Sequence, residues 1–172
     1  MTTPAGGTPF WALSLAYWLH MFATILWIGG LAAVVLLLPA ARRSMEADAF
    51  AGLLEKIQRR LDPVGWLSLA VLVVTGLFQM SASPNYEGFF TIGNRWAAAI
   101  LAKHLVFLAM IGVSAYLTWG LLPGIRRNAL LRARGRPGPE AEKLQRREIL
   151  LLRLNFILGV IVLGLTALAR AS

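Results

Sequence analysis

Between residues 10 and 41 the chain carries no Asp, Glu, Lys or Arg. That run is well beyond the roughly 20 residues an α-helix needs to cross the hydrocarbon of a bilayer. Three further stretches repeat the pattern: residues 63–83 are uncharged, residues 96–122 carry only Lys103 and His104, and residues 149–169 carry only Arg153. In lipid every backbone polar group must be satisfied within the protein, so a spanning chain forms helices or a closed barrel. Unbroken apolar runs of this length lack the period-two alternation of a barrel strand. The expected fold is therefore all-α: a single membrane domain over residues 1–172, with spanning helices at about 10–40, 64–82, 95–122 and 148–170. A mean hydropathy of +0.65 and 58% hydrophobic residues are too apolar for a soluble domain of this length.

The formal net charge of +9 raises the question of nucleic acid, and the placement of the charges answers it. Five of the seventeen Lys and Arg residues lie between Arg42 and Arg60, and eight between Arg126 and Arg147. The stretch before the first helix has none, and the connection over residues 81–94 has a single charge, Glu87. By the positive-inside rule the two basic loops face the cytoplasm, with both termini outside an inner or plasma membrane. The basic character then reports topology and contact with anionic lipid headgroups, not a nucleic-acid footprint. The first seven residues lack the basic segment of a secretory signal, so the first apolar run reads as helix one. No cysteine is present, which excludes disulfides, thiolate metal sites and c-type haem attachment.

Between the first two spans, Ser44 reads as an N-cap. Phe50, Leu53, Leu54, Ile57 and Leu61 follow as one helical stripe. This predicts an amphipathic cytoplasmic helix over about 44–61, lying in the headgroup plane or under the bundle, with Asp62 and Pro63 turning the chain into helix two. The Arg-, Gly- and Pro-rich stretch at 132–139 reads as a solvated turn. Glu140 and Glu142 after it suit the start of the last helix.

His20 and His104 are the only histidines, and both lie inside spanning segments. His20 sits about ten residues below the start of helix one, roughly 15 Å at 1.5 Å per residue. His104 lies nine residues below Arg95, near the same level, on a helix running in the same direction. A bundle with helices one and three diagonal, or meeting across its core, can present two imidazoles to the two faces of a b-type haem. Thr24 and Trp27 share the face of His20, and Gly29 and Gly30 offer a porphyrin edge or a backbone close approach. Ile100, Leu101, Leu108 and Ile111 form an apolar wall around His104. Lys103 and Arg95 are the cations available to haem propionates. Haem-binding residues are thus expected at His20, His104, Lys103, Arg95 and Trp27, with His20 and His104 ligating the metal. Trp11, Trp66, Trp96 and Trp119 read as interfacial belts, and Gln79 with Thr75 as glue between helices. With no Asp or Glu placed within the membrane, acid–base catalysis by paired carboxylates is excluded.

The stretches HMFATILWIGG (residues 20–30) and TIGNRWAAAILAKHLV (residues 91–106), with Leu122-Pro123 after the third span, resemble the copper-resistance D (CopD) superfamily of membrane proteins. Related four-helix proteins include the HemJ-type protoporphyrinogen oxidases. The resemblance implies b haem, with a first-helix histidine and a third-helix lysine carrying function; these match His20 and Lys103. It assigns no role to His104, whose ligation rests on depth alone.

Three function classes follow. The first is a membrane b-type cytochrome carrying electrons, alone or within a larger complex, with a quinone or a redox protein as partner. The second is copper transport or resistance, implied by the family name; copper(I) favours soft donors, and Met21 and Met110 lie near the histidines in sequence. Met21, however, lies about 100° around the helix from His20, and no Met-rich or His-rich tract is present to capture the ion. The third is a porphyrinogen oxidase. A carrier or transporter fits the chain better than a stand-alone enzyme, since no soluble catalytic domain is present.

Overall fold

A computed structural model describes residues 9–86, 88, 93–133 and 141–171. The chain forms α1 (Phe10–Ser44), α2 (Ala47–Ser81), α3 (Arg95–Ala115), a π-helical turn (Tyr116–Leu121), α4 (Leu122–Ala133) and α5 (Ala141–Ala171). No strand occurs among the described residues. Among the described residues four stretches are long and apolar enough to cross a membrane: Phe10–Ser44, Gly52–Ser81, Arg95–Asn128 and Lys143–Ala171. Many of their large apolar side chains point outward, Leu36, Leu37, Leu67 and Val74 among them. A bilayer is the surrounding that suits such a surface.

The helices pack as two pairs. α1 lies along α2 and α3 lies along α5; the pairs join where α1 meets α5, while α1 and α3 make at most glancing contact. One end of the bundle, the histidine end, gathers the starts of α1 and α3 with the ends of α2 and α5. The opposite, basic end gathers Arg42 and Arg43 at the end of α1 with the starts of α2 and α5. The main apolar core lies toward the basic end, where Val34, Leu38, Phe50, Leu54, Leu117, Leu121 and Leu152 cluster.

The separate amphipathic helix expected over 44–61 is absent as an independent element. Ser44 does not cap a new helix: it ends α1, its hydroxyl donating to the carbonyls of Ala40 and Ala41. The next helix starts at Ala47 and runs without a break through Asp62 and Pro63. Proline removes one backbone donor and crowds the carbonyl four residues back, but within a packed bundle neighbouring groups make that loss tolerable. The predicted stripe instead extends the second span. Phe50 and Leu54 are buried in the core, with Ile57 and Leu61 packed against it. Tertiary burial overrode the turn signal.

The third span also outruns its expected end. Pro123 cannot donate to the carbonyl of Trp119 and its ring crowds that carbonyl. The preceding turn widens into a π-helix, with the Leu122 N–H reaching the Leu117 carbonyl, and the chain then continues helically to Ala133. At the histidine end Asn94 caps α3, its side chain accepting from the Ala97 N–H at 2.7 Å. Glu87, residues 134–139 of the expected turn, and Glu140 lie outside the described residues.

Candidate functional site

α1 presents His20 to α2. The Thr75 hydroxyl donates to the Val71 carbonyl at 2.6 Å, which uses its only hydrogen. Toward the His20 Nδ1, 2.8 Å away, the same oxygen can then only accept. Nδ1 therefore carries the imidazole hydrogen, and Nε2 carries the lone pair. The neighbouring Gly76 faces the ring, and a Cβ there would be in van der Waals contact with the imidazole Cε1 at 3.4 Å. One turn nearer the end, the Gln79 side chain donates to the Ala16 carbonyl at 3.1 Å. Thr75 and Gln79 thus join the two helices as the sequence suggested. The Thr24 hydroxyl donates to the His20 carbonyl at 2.7 Å and stays within α1.

A cation stands near this imidazole, with a second beyond it. Lys103, half-buried on α3, is close enough to act electrostatically on His20, and Arg170 of α5 acts likewise on Lys103. The Arg170 guanidinium lies over the Tyr17 ring, 5.6 Å from its centroid. Residues from all four spans therefore converge at the histidine end. Arg95 is exposed at the first position of α3.

His104 is held differently. Its Nδ1 lies 2.7 Å from the Ile100 carbonyl of its own helix, and a carbonyl can only accept, so this imidazole too carries its hydrogen on Nδ1. α3 packs along α5 and does not form a packed pair with α1. The expectation of a haem slot between His20 and His104 gains no support from this packing. Trp27 does not join His20 either. It lies seven residues along, about 10 Å, and its ring packs on Gly65 of α2, where a Cβ would sit 2.6 Å from the ring. Gly29, expected as a close-approach position, faces open space.

A second polar group lies toward the basic end, and sequence reasoning missed it. Asp62 accepts from the Thr118 hydroxyl at 2.7 Å, and that hydroxyl accepts from the Trp66 indole at 3.3 Å. Trp66 also stacks on Trp119 with centroids 4.9 Å apart, so these two rings join α2 to the π-helical turn. Asn155 donates to Ser114 at 2.9 Å, and Gln58 donates to Glu148 at 3.2 Å. Glu148 and Asn155 are each only 1% exposed. Asp62 and Glu148 stand inside continuous helices, within the apolar stretches Gly52–Ser81 and Lys143–Ala171. They were overlooked because each stands at the edge of its uncharged run, where charge reads as the end of a span. A cavity of about 70 Å³ is lined by Trp27, Gln58, Asp62, Ser114, Thr118 and Asn155. The Trp27 Nε1 and the Asn155 Oδ1 are both buried without a partner. A mixed set of donor and acceptor of that kind suits water, and the volume admits it.

Among the described residues no group of three or more His, Cys, Asp or Glu is placed to enclose a metal.

No curated protein and no solved structure matched in the comparisons with known proteins. The family model for copper resistance protein D (CopD) matches residues 55–169. That match spans more than half of the sequence and includes Thr75, Lys103 and His104, so the chain belongs to the CopD family.

Proposed function

We propose that this membrane protein handles copper, with His20 as the imidazole that meets the ion as cargo. The observation that carries this reading is the Thr75 hydroxyl, whose hydrogen is committed to Val71 so that the His20 Nε2 keeps its lone pair. A metal-binding imidazole is commonly oriented by a hydrogen bond from its other nitrogen, which raises its basicity and fixes the ring. Family membership supplies the choice of copper. Imidazole is a competent copper ligand.

In this reading the basic end faces the cytoplasm of an inner or plasma membrane and the histidine end faces outward, supported by thirteen Lys and Arg residues in the two basic connections. Because the protein has no cysteine, a single one at Ser83 reports this directly: an impermeant thiol reagent labels it from outside and leaves one at Met45 untouched. The function is tested by titrating purified, reduced protein with copper(I) against a competing chelator. Wild-type protein binds copper, and His20→Ala loses at least tenfold in affinity. Purified protein carrying a b-type haem spectrum and no copper response overturns the proposal and restores the cytochrome reading.

A further inference from the structure

At the basic end a cavity of about 340 Å³ opens along the seam between α1 and α5. That volume lies within the range of sites for small organic ligands. Its walls are of two kinds. Val35, Leu38 and Leu152 form an apolar side, while Arg42, Arg43 and Arg153 stand around it with exposed side chains. Among the described residues no carboxylate lines the cavity. Pro39 also lines it, and having no N–H it leaves the Val35 carbonyl without its helical donor.

We propose that this groove binds one anionic phospholipid, its phosphate on the three guanidiniums and its acyl chain along the apolar wall. Charge complementarity selects the occupant: guanidinium groups present forked donors that match phosphate oxygens, and basic pockets between spanning helices recognise anionic headgroups. Three arginines converging on one apolar groove exceed what an unspecific membrane boundary requires. The site also has a structural place. α1–α5 is the seam joining the two helix pairs, so a lipid lying across Arg42, Arg43 and Arg153 bridges both pairs and holds them together.

The test uses full-length protein in detergent, delipidated and then offered phosphatidylglycerol, phosphatidylcholine with the same acyl chains, or inorganic phosphate. Native mass spectrometry counts bound lipid, and thermal unfolding reports stabilisation. One phosphatidylglycerol is retained and raises the melting temperature, while phosphatidylcholine binds at least about tenfold more weakly, as expected when several basic groups act on an anionic headgroup. R42Q/R43Q/R153Q abolishes that preference, whereas R126Q/R127Q, which removes two arginines of α4 outside the groove, keeps it. Val35→Phe, which fills the apolar wall and leaves every charge in place, also lowers lipid retention; it keeps the proposal open to failure should the triple variant not fold. Equal binding of the two lipids overturns the site, as does equal loss in R126Q/R127Q or full retention in Val35→Phe. Stabilisation by inorganic phosphate as large as that by lipid overturns the lipid assignment in favour of a free-phosphate site.

Discussion

The two ends of the bundle use polarity in opposite ways. Toward the basic end Glu148, Asn155, Ser114, Asp62 and Thr118 accompany the main apolar cluster, and they form short chains that tie helices together. Toward the histidine end Thr75 and Gln79 also join α1 to α2, but beside them stand an imidazole whose Nε2 lone pair is unused and the Lys103 cation. One end spends its polar side chains on architecture. The other keeps a lone pair and positive charge available. Buried carboxylates close to an open imidazole would compete for any cation, and the fold keeps the two apart.

The sharpest way to break this contrast is to damage the packed end. Phe50→Ala removes an aromatic ring that is 2% exposed from the main cluster. It should cost about 3–5 kcal/mol, read as a fall in thermal unfolding temperature in detergent. A loss no larger than that of a lipid-facing change such as Leu36→Ala would show that the core is not concentrated there.

Next in size is Gly65→Val on α2, which drives side-chain atoms into the Trp27 ring. Overpacking of this kind costs about 1–3 kcal/mol. The matched change Gly29→Val, at a position open to its surroundings, should cost little, and the difference between the two tests whether α1 and α2 are closely fitted at that level.

A smaller effect is expected from Asn155→Ala, which empties the acceptor site at Ser114. Hydrogen bonds between spanning helices average about 0.6 kcal/mol. The copper(I) affinity measured at His20 should stay unchanged, and a loss of binding would join the two ends functionally and dissolve the comparison.

Thr75→Val has the smallest effect on stability and a larger one on function. It keeps the shape and removes the hydroxyl that orients His20. Loss of such a second-sphere partner weakens metal affinity about 10–100-fold. The measurement is the same chelator competition, and an unaltered affinity would mean that Thr75 only joins helices.

How much of this was legible in the sequence depended on whether the signal was local. The four spans follow from charge-free runs, whereas the Asn94 cap that starts α3 was not read from the sequence. Thr75 and Gln79 were read correctly as interhelical contacts because polar groups one turn apart in an apolar helix have few other uses. The continuation of α2 through Pro63 was not legible. A proline after an aspartate is a good local turn signal, and only burial of Phe50 and Leu54 against α1 and α5 outweighs it. The cavity around Asn155 was invisible for a similar reason: Ser114 and Asn155 are 41 residues apart, and nothing in either neighbourhood announces the other. Matched depth suggested that His20 and His104 face one ligand. Depth fixes height along a helix but leaves the neighbour undetermined, and α1 chose α2 while α3 chose α5.

The π-helical turn at Tyr116–Leu121 has a genetic meaning beyond its geometry. Such a turn holds one residue more than an α-helical turn, so it corresponds to a single-codon insertion that leaves the helix on either side in its former register. Deleting one residue there leaves α3 and α4 presenting the same faces, while Pro123 still interrupts the hydrogen-bond ladder between them. Only the contacts made by the turn itself, Thr118 to Asp62 and Trp119 to Trp66, are lost. The link between the third span and α2 is thus a detachable addition to a four-helix scaffold, one that a lineage can gain or discard in a single mutational step without rebuilding the rest.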